Sequence, residues 1–125
     1  MSHVDIKRVT PIHVVESIEP ALAFWEALGF AKIVEVPHGE RLGFVLLARG
    51  EAHVMLQTRE SVAADVPAMA GTGAALYVDV ASLDAAIEAA RGLEVLVPRR
   101  TTFYGADEIW VRDPAGVVVG FAEQR

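Results

Sequence analysis

One pattern of apolar runs and helix signals is written twice in this chain, and that repetition constrains the fold more than any other feature. Two segments carry helix signals. The first begins near Pro20, runs Ala21-Leu22-Ala23-Phe24-Trp25-Glu26-Ala27-Leu28 and ends at Gly29. Proline suits the first helical turn, and glycine suits the position just past the last. The second follows Ser82, whose hydroxyl can cap a helix, runs Leu83-Asp84-Ala85-Ala86-Ile87-Glu88-Ala89-Ala90-Arg91 and ends at Gly92. A strand-like run precedes each helix, at residues 9–15 and 74–80, and a short apolar run follows each, at 33–36 and 93–97. Two further strands close each half. In the first half they are 42–48 and 52–57, joined through Arg49-Gly50-Glu51. In the second they are 108–112 and 117–122, joined through Asp113-Pro114-Ala115-Gly116, a strong turn sequence.

The order is therefore β-α-β-β-β, then the same again. Laying Gly29 on Gly92 gives an offset of 63 residues, which pairs Phe24 with Ile87, Phe30 with Leu93 and Val15 with Val78. Two short repeats cannot each bury their own sheet face, so they are expected to pack as one domain over residues 1–125. Module 1 covers about 8–57 and module 2 about 73–125; residues 58–72, with Ala, Pro, Gly and weak periodicity, read as a linker. The expected fold is α+β, with two βαβββ modules forming a curved mixed sheet around a shared groove and the helices on the outer face.

Composition excludes several function classes. The 125-residue chain is 53% hydrophobic and has no cysteine, which removes disulfide scaffolds, thiolate metal sites and a cysteine nucleophile. A net charge of −6 argues against a nucleic-acid partner, because phosphate-backbone binding needs clustered Lys and Arg. It favours neutral or cationic ligands instead. The start, Met1-Ser2-His3-Val4-Asp5, carries charge where the apolar core of a leader would begin, and no apolar run is long enough to span a membrane. A cytoplasmic location is the expectation. No Ser-His-Asp set and no phosphate-binding glycine loop appears.

Alternation along the strands sorts side chains onto two faces. Val54, Leu56, Leu76, Val78, Ile109 and Val111 read as the helix-packed core, and the offset places His13 with them. The opposite face then carries Thr10, Ile12, Val14, His53, Met55, Gln57, Tyr77, Glu108, Trp110 and Arg112. Large apolar groups with a few polar ones suit a ligand pocket. A face buried against a second subunit, or closed on itself, has the same composition. Trp110 and Tyr77 are placed to stack on a planar or cationic ligand. Glu108 can pair with a cationic ligand group or with Arg112. His53 is either a catalytic base or a groove histidine bonded to Gln57 or Glu108. Pro98 is expected to open a loop that runs to Asp107. It is either a flap bringing Phe103 and Tyr104 over the groove, or a solvated connection with Arg99 and Arg100 in water.

Three stretches carry a family resemblance: residues 21–30, Gly43-Phe44-Val45-Leu46-Leu47-Ala48-Arg49-Gly50, and Val111-Arg112-Asp113-Pro114-Ala115-Gly116. In that order and spacing the chain resembles the vicinal oxygen chelate superfamily of glyoxalases, bleomycin-resistance proteins and extradiol dioxygenases. Pro11-Ile12, Phe24-Trp25 and the stretch from Tyr104-Gly105 to Asp113 are most similar to the bleomycin-resistance branch. The resemblance implies four metal-ligand positions, filled here by Thr10, His53, Gly73 and Gly120. Only His53 is a credible ligand, with Glu108 as a neighbour, so neither metal nor other cofactor is expected. The resemblance further implies a homodimer that sequesters a drug or metabolite without catalysis, through Trp110, Tyr77, Glu108, His53, Met55, Gln57, Ile12 and Phe103. A metal-dependent enzyme of the glyoxalase or dioxygenase kind is the alternative it leaves.

Overall fold

The computed structural model describes residues 4–125; Met1, Ser2 and His3, the start of the segment read as lacking a leader, lie outside the described residues. The elements in chain order are β1 (Ile6–Val15), α1 (Glu19–Ala27), β2 (Ala31–His38), β3 (Arg41–Arg49), β4 (Ala52–Thr58), α2 (Arg59–Asp65), a 3-10 helix (Pro67–Gly71), β5 (Ala74–Val80), α3 (Leu83–Ala89), β6 (Glu94–Thr101), β7 (Ala106–Arg112) and β8 (Val118–Gln124). The chain is α+β, and β-α-β-β-β occurs twice.

These elements form two compact units: Thr10–Ala74, and Ala75–Arg125 together with the N-terminal residues as far as Val9. In the N-terminal unit the strands lie in the order β2-β3-β4-β1, with β1 parallel to β4 and the other pairs antiparallel. The C-terminal unit repeats this as β6-β7-β8-β5, with β5 parallel to β8. The helix-ending glycines match as well: Gly29 has φ +92° and Gly92 has φ +91°. A side chain is strained in that left-handed region, so glycine ends both helices at the same repeat position.

Each unit has its own helix-facing core. In the N-terminal unit Ile18, Val45, Leu47, Val54 and Leu56 are buried, with Ala21, Leu22 and Trp25 of α1 against them. In the C-terminal unit Val78, Val80, Ile109, Val111 and Val119 meet Leu83, Ala86 and Ala90. The alternation along β4, β5 and β7 thus points as the sequence indicates. Helix α3 starts where Ser82 Oγ accepts from the Ala85 N–H at 3.1 Å, and Glu123 accepts from the Leu83 N–H at 2.7 Å. Those bonds satisfy donors that a helix start leaves open.

Three expectations are corrected. His13 is on the helix side of β1, with its ring 6.0 Å from that of Trp25, but it is exposed rather than core. Helix α1 buries none of its residues completely, so it covers that face of β1 only in part. The segment 58–72 is not a plain linker. Thr58 caps α2 by accepting from the Ser61 N–H at 3.1 Å, and Val62, Val66 and Met69 are fully buried. Arg59 ties the segment down, bonding Glu16 at 2.7 Å and the carbonyls of Ala70 and Thr72. Finally, Pro98 does not open a long loop: β6 runs through it to Thr101, leaving 102–105 as a short turn before β7. Strand β6 is terminal in its unit and shifts register between Val95 and Val97 and again before Arg100, which is where a strand tolerates a proline without an N–H.

Candidate functional site

In the C-terminal unit, strand pairing assembles the cluster from residues far apart in sequence. Register places both Tyr77 of β5 and Trp110 of β7 beside Gly120 of β8, and places Glu108 beside Ala122. The two small residues on β8 leave room for the large groups on either side. The Trp110 indole occupies the space over Gly120 so closely that a Cβ there would lie 2.7 Å from three of its ring carbons. Tyr77 and Trp110 are in ring contact at 5.9 Å, tilted by 47°. Both are buried, so the pair is closed on itself rather than open for a ligand to stack on.

Glu108 is the centre of this cluster and is 0% exposed. Its Oε1 accepts from Trp110 Nε1 at 3.0 Å and from Arg100 Nη2 at 3.3 Å. Its Oε2 accepts from the Tyr77 hydroxyl at 2.7 Å and from the Tyr104 hydroxyl. Four side-chain donors thus compensate a buried carboxylate, which an unpaired position could not accommodate. The Tyr77 phenol is raised above its ordinary value near 10, first by burial and then by the charge and hydrogen bond of Glu108. It is held as a neutral donor.

Two of these donors, Arg100 and Tyr104, were not assigned to Glu108 from the sequence, and Arg112 was a candidate partner. Cross-strand register explains the outcome. Arg100 is directly opposite Glu108 and Glu94 directly opposite Arg112, and the ion pairs follow at 3.3 and 3.2 Å. Four residues along one strand span about 13 Å, too far for Arg112 to be the natural partner. Arg99 has the opposite parity and pairs with Asp84 of α3. Phe103, at the tip of the short turn, is 86% exposed and packs edge-on against Tyr104 at 5.1 Å.

The N-terminal unit positions the remaining residues. Ile12 pairs with Met55 and Val14 with Gln57 across β1 and β4, and all four are buried. Gln57 donates to Ser61 Oγ of α2 at 3.1 Å. His53 is partly buried beside Ala48 of β3. Thr10 is 1% exposed, and its hydroxyl has no hydrogen-bond partner among the described residues.

The four inherited ligand positions do not fit a metal. Gly73 and Gly120 offer no donor, Thr10 offers a weak one, and the space over Gly120 is filled by an indole. Glu108 has both oxygens engaged, and among the described residues no group of three or more His, Cys, Asp or Glu is placed to hold a metal ion. No helix among them is long and apolar enough to cross a membrane.

Comparison with known proteins bears on the fold. The model of the Glyoxalase/Bleomycin resistance protein/Dioxygenase superfamily matches residues 6–121. A member of that superfamily from Vibrio splendidus 12B01 superposes with a TM-score of 0.70 at 20% identity, covering 98% of this chain and 100% of the other. A protein from Bacillus halodurans C-125 gives 0.70 at 20% identity, over 98% and 94%. Methylmalonyl-CoA epimerase from Mycobacterium tuberculosis gives 0.67 at 20% identity, over 97% and 88%. At such identities the likeness is one of fold. Comparison with curated proteins gives no match.

Proposed function

Because this chain belongs to the Glyoxalase/Bleomycin resistance protein/Dioxygenase superfamily, we propose that it is a metal-independent small-molecule binding protein of the bleomycin-resistance type, sequestering a drug or metabolite. The observation that carries this reading is Glu108, a fully buried carboxylate held by two phenols, an indole and a guanidinium. Well-packed apolar residues would stabilise a sheet face at least as well as such a network. Such a network in this position supports a recognition role, with Glu108 setting orientation and Tyr77 and Trp110 supplying apolar surface. Ligand entry requires the covering side chains to move. A homodimer is part of the proposal, supported by the exposed apolar groups Phe24, Leu28, Ile33 and Val34 on α1 and β2 and just beyond α1.

The reading is tested by Trp110 emission in a Trp25→Phe background, screened against small molecules in chelator. Saturable quenching by at least one compound is expected; insensitivity to all of them contradicts the reading. Isothermal titration with bleomycin tests the drug-specific version, which an absence of heat removes.

A metal-dependent glyoxalase- or dioxygenase-like enzyme is the second reading, favoured by a superfamily whose name includes enzymes and by the epimerase that shares the fold. Elemental analysis decides it: stoichiometric Ni, Zn, Fe or Mn, lost on His53→Ala, would establish the enzyme reading over the binding one.

A further inference from the structure

The four donors on Glu108 are of two kinds. Tyr77 and Trp110 are set in the sheet and are 7% and 3% exposed. Arg100 and Tyr104 come from the turn end of the β6–β7 hairpin, where the Arg100 side chain is 28% and Tyr104 47% exposed. Each carboxylate oxygen takes one donor of each kind: Oε1 has Trp110 and Arg100, and Oε2 has Tyr77 and Tyr104. Withdrawing the two hairpin side chains would open one position on each oxygen, side by side, facing solvent. The Arg100–Glu108 contact, at 3.3 Å, is longer than the roughly 2.7–2.9 Å of a well-formed charge-assisted bond.

Two adjacent vacancies on one carboxylate match a planar cation with two parallel N–H groups, the fork geometry of an amidinium or guanidinium. We infer that Arg100 and Tyr104 are internal stand-ins for such a head group, and that the ligand class is a planar amidinium or guanidinium on an apolar body. This deepens the proposed binding role and rests on it. The ligand's head displaces both side chains, and its body takes the space that Tyr104 vacates beside Phe103, whose exposed ring is at the mouth. The chain's net charge of −6 favours cationic over anionic ligands. Swapping one cation for another leaves the buried carboxylate paired throughout, which keeps the exchange inexpensive.

The probe is benzamidine, compared with benzamide, its neutral counterpart of nearly equal shape. Titrations follow Trp110 emission in the Trp25→Phe protein, with melting temperature recorded for every variant. Benzamidine is expected to bind at least about tenfold more tightly than benzamide, and Glu108→Gln to abolish that preference. Tyr104→Phe and Arg100→Gln each remove one internal competitor and are expected to tighten benzamidine about tenfold. Arg100→Gln is also expected to melt lower and to recover on adding benzamidine, because the ligand restores the missing counter-charge. Benzamide binding as well as benzamidine overturns the inference. So does a double variant, Tyr104→Phe with Arg100→Gln, that binds benzamidine no better than the parent. If benzamidine binds through Glu108 while neither hairpin variant tightens it, the stand-in role falls and the binding role remains. If the broad screen finds no ligand at all, the binding role itself falls.

Discussion

At the scale of single residues, Glu108 has the largest effect on both stability and recognition. Glu108→Gln keeps the shape but turns one acceptor into a donor that faces Trp110 and Arg100 or the two phenols. Breaking a buried, paired charge costs about 3 kcal/mol, and urea unfolding is expected to show a loss of that size. Tyr77 gives a pH signature. Its pKa is raised in the folded state, so below pH 10 folded and unfolded forms both keep the proton and nothing changes. Above pH 10 the unfolded phenol ionises while the folded one does not, and stability falls by up to about 1.4 kcal/mol per pH unit. Tyr77→Phe is expected to flatten that decline in urea titrations run at alkaline pH. Alternation along β7 made Glu108 and Trp110 legible as neighbours on one face. The Arg100 bond was not legible, because it depends on a register shift in β6 after Val97 that no local pattern announces.

At the scale of elements, α2 shows what sequence reading misses. Its cap, Thr58 to Ser61, its buried Val62, and Val66 and Met69 just beyond it fall at helical spacing. The signal was hidden by alanine, proline and glycine, which read as loop composition. Thr58→Ala is expected to cost about 1 kcal/mol by thermal or chemical melting, the usual worth of a helix cap. The β6–β7 connection differs from its sequence signal for a related reason: Pro98 signals a break in a central strand but is tolerated on a terminal one. Strand β2 carries the dimer proposal, with Ile33 and Val34 exposed at the register shift in its pairing with β3. Ile33→Lys is expected to shift the protein towards monomer in sedimentation at micromolar concentration. An unchanged dimer would remove β2 from the interface.

At the scale of the whole molecule, the 63-residue offset carried most of the fold. It predicted two copies of one element order, β-α-β-β-β, and the matched positive φ of Gly29 and Gly92 is its clearest structural echo. The same offset lays Thr10 on Gly73, so two inherited ligand positions are occupied by residues that ligate poorly. The structure adds a third reason in the indole over Gly120, which a sequence cannot show because it depends on side-chain placement across two strands. Dialysis against chelator is accordingly expected to leave the melting temperature and any ligand affinity unchanged. In the proposed binding role a buried carboxylate, not a metal, anchors the ligand. Its most direct test is isothermal titration of benzamidine in chelator into the parent protein and into Glu108→Gln. Saturable binding to the parent and a loss of at least about tenfold in the variant are expected; equal binding to both, or binding that appears only when a divalent metal is restored, rules out the carboxylate anchor.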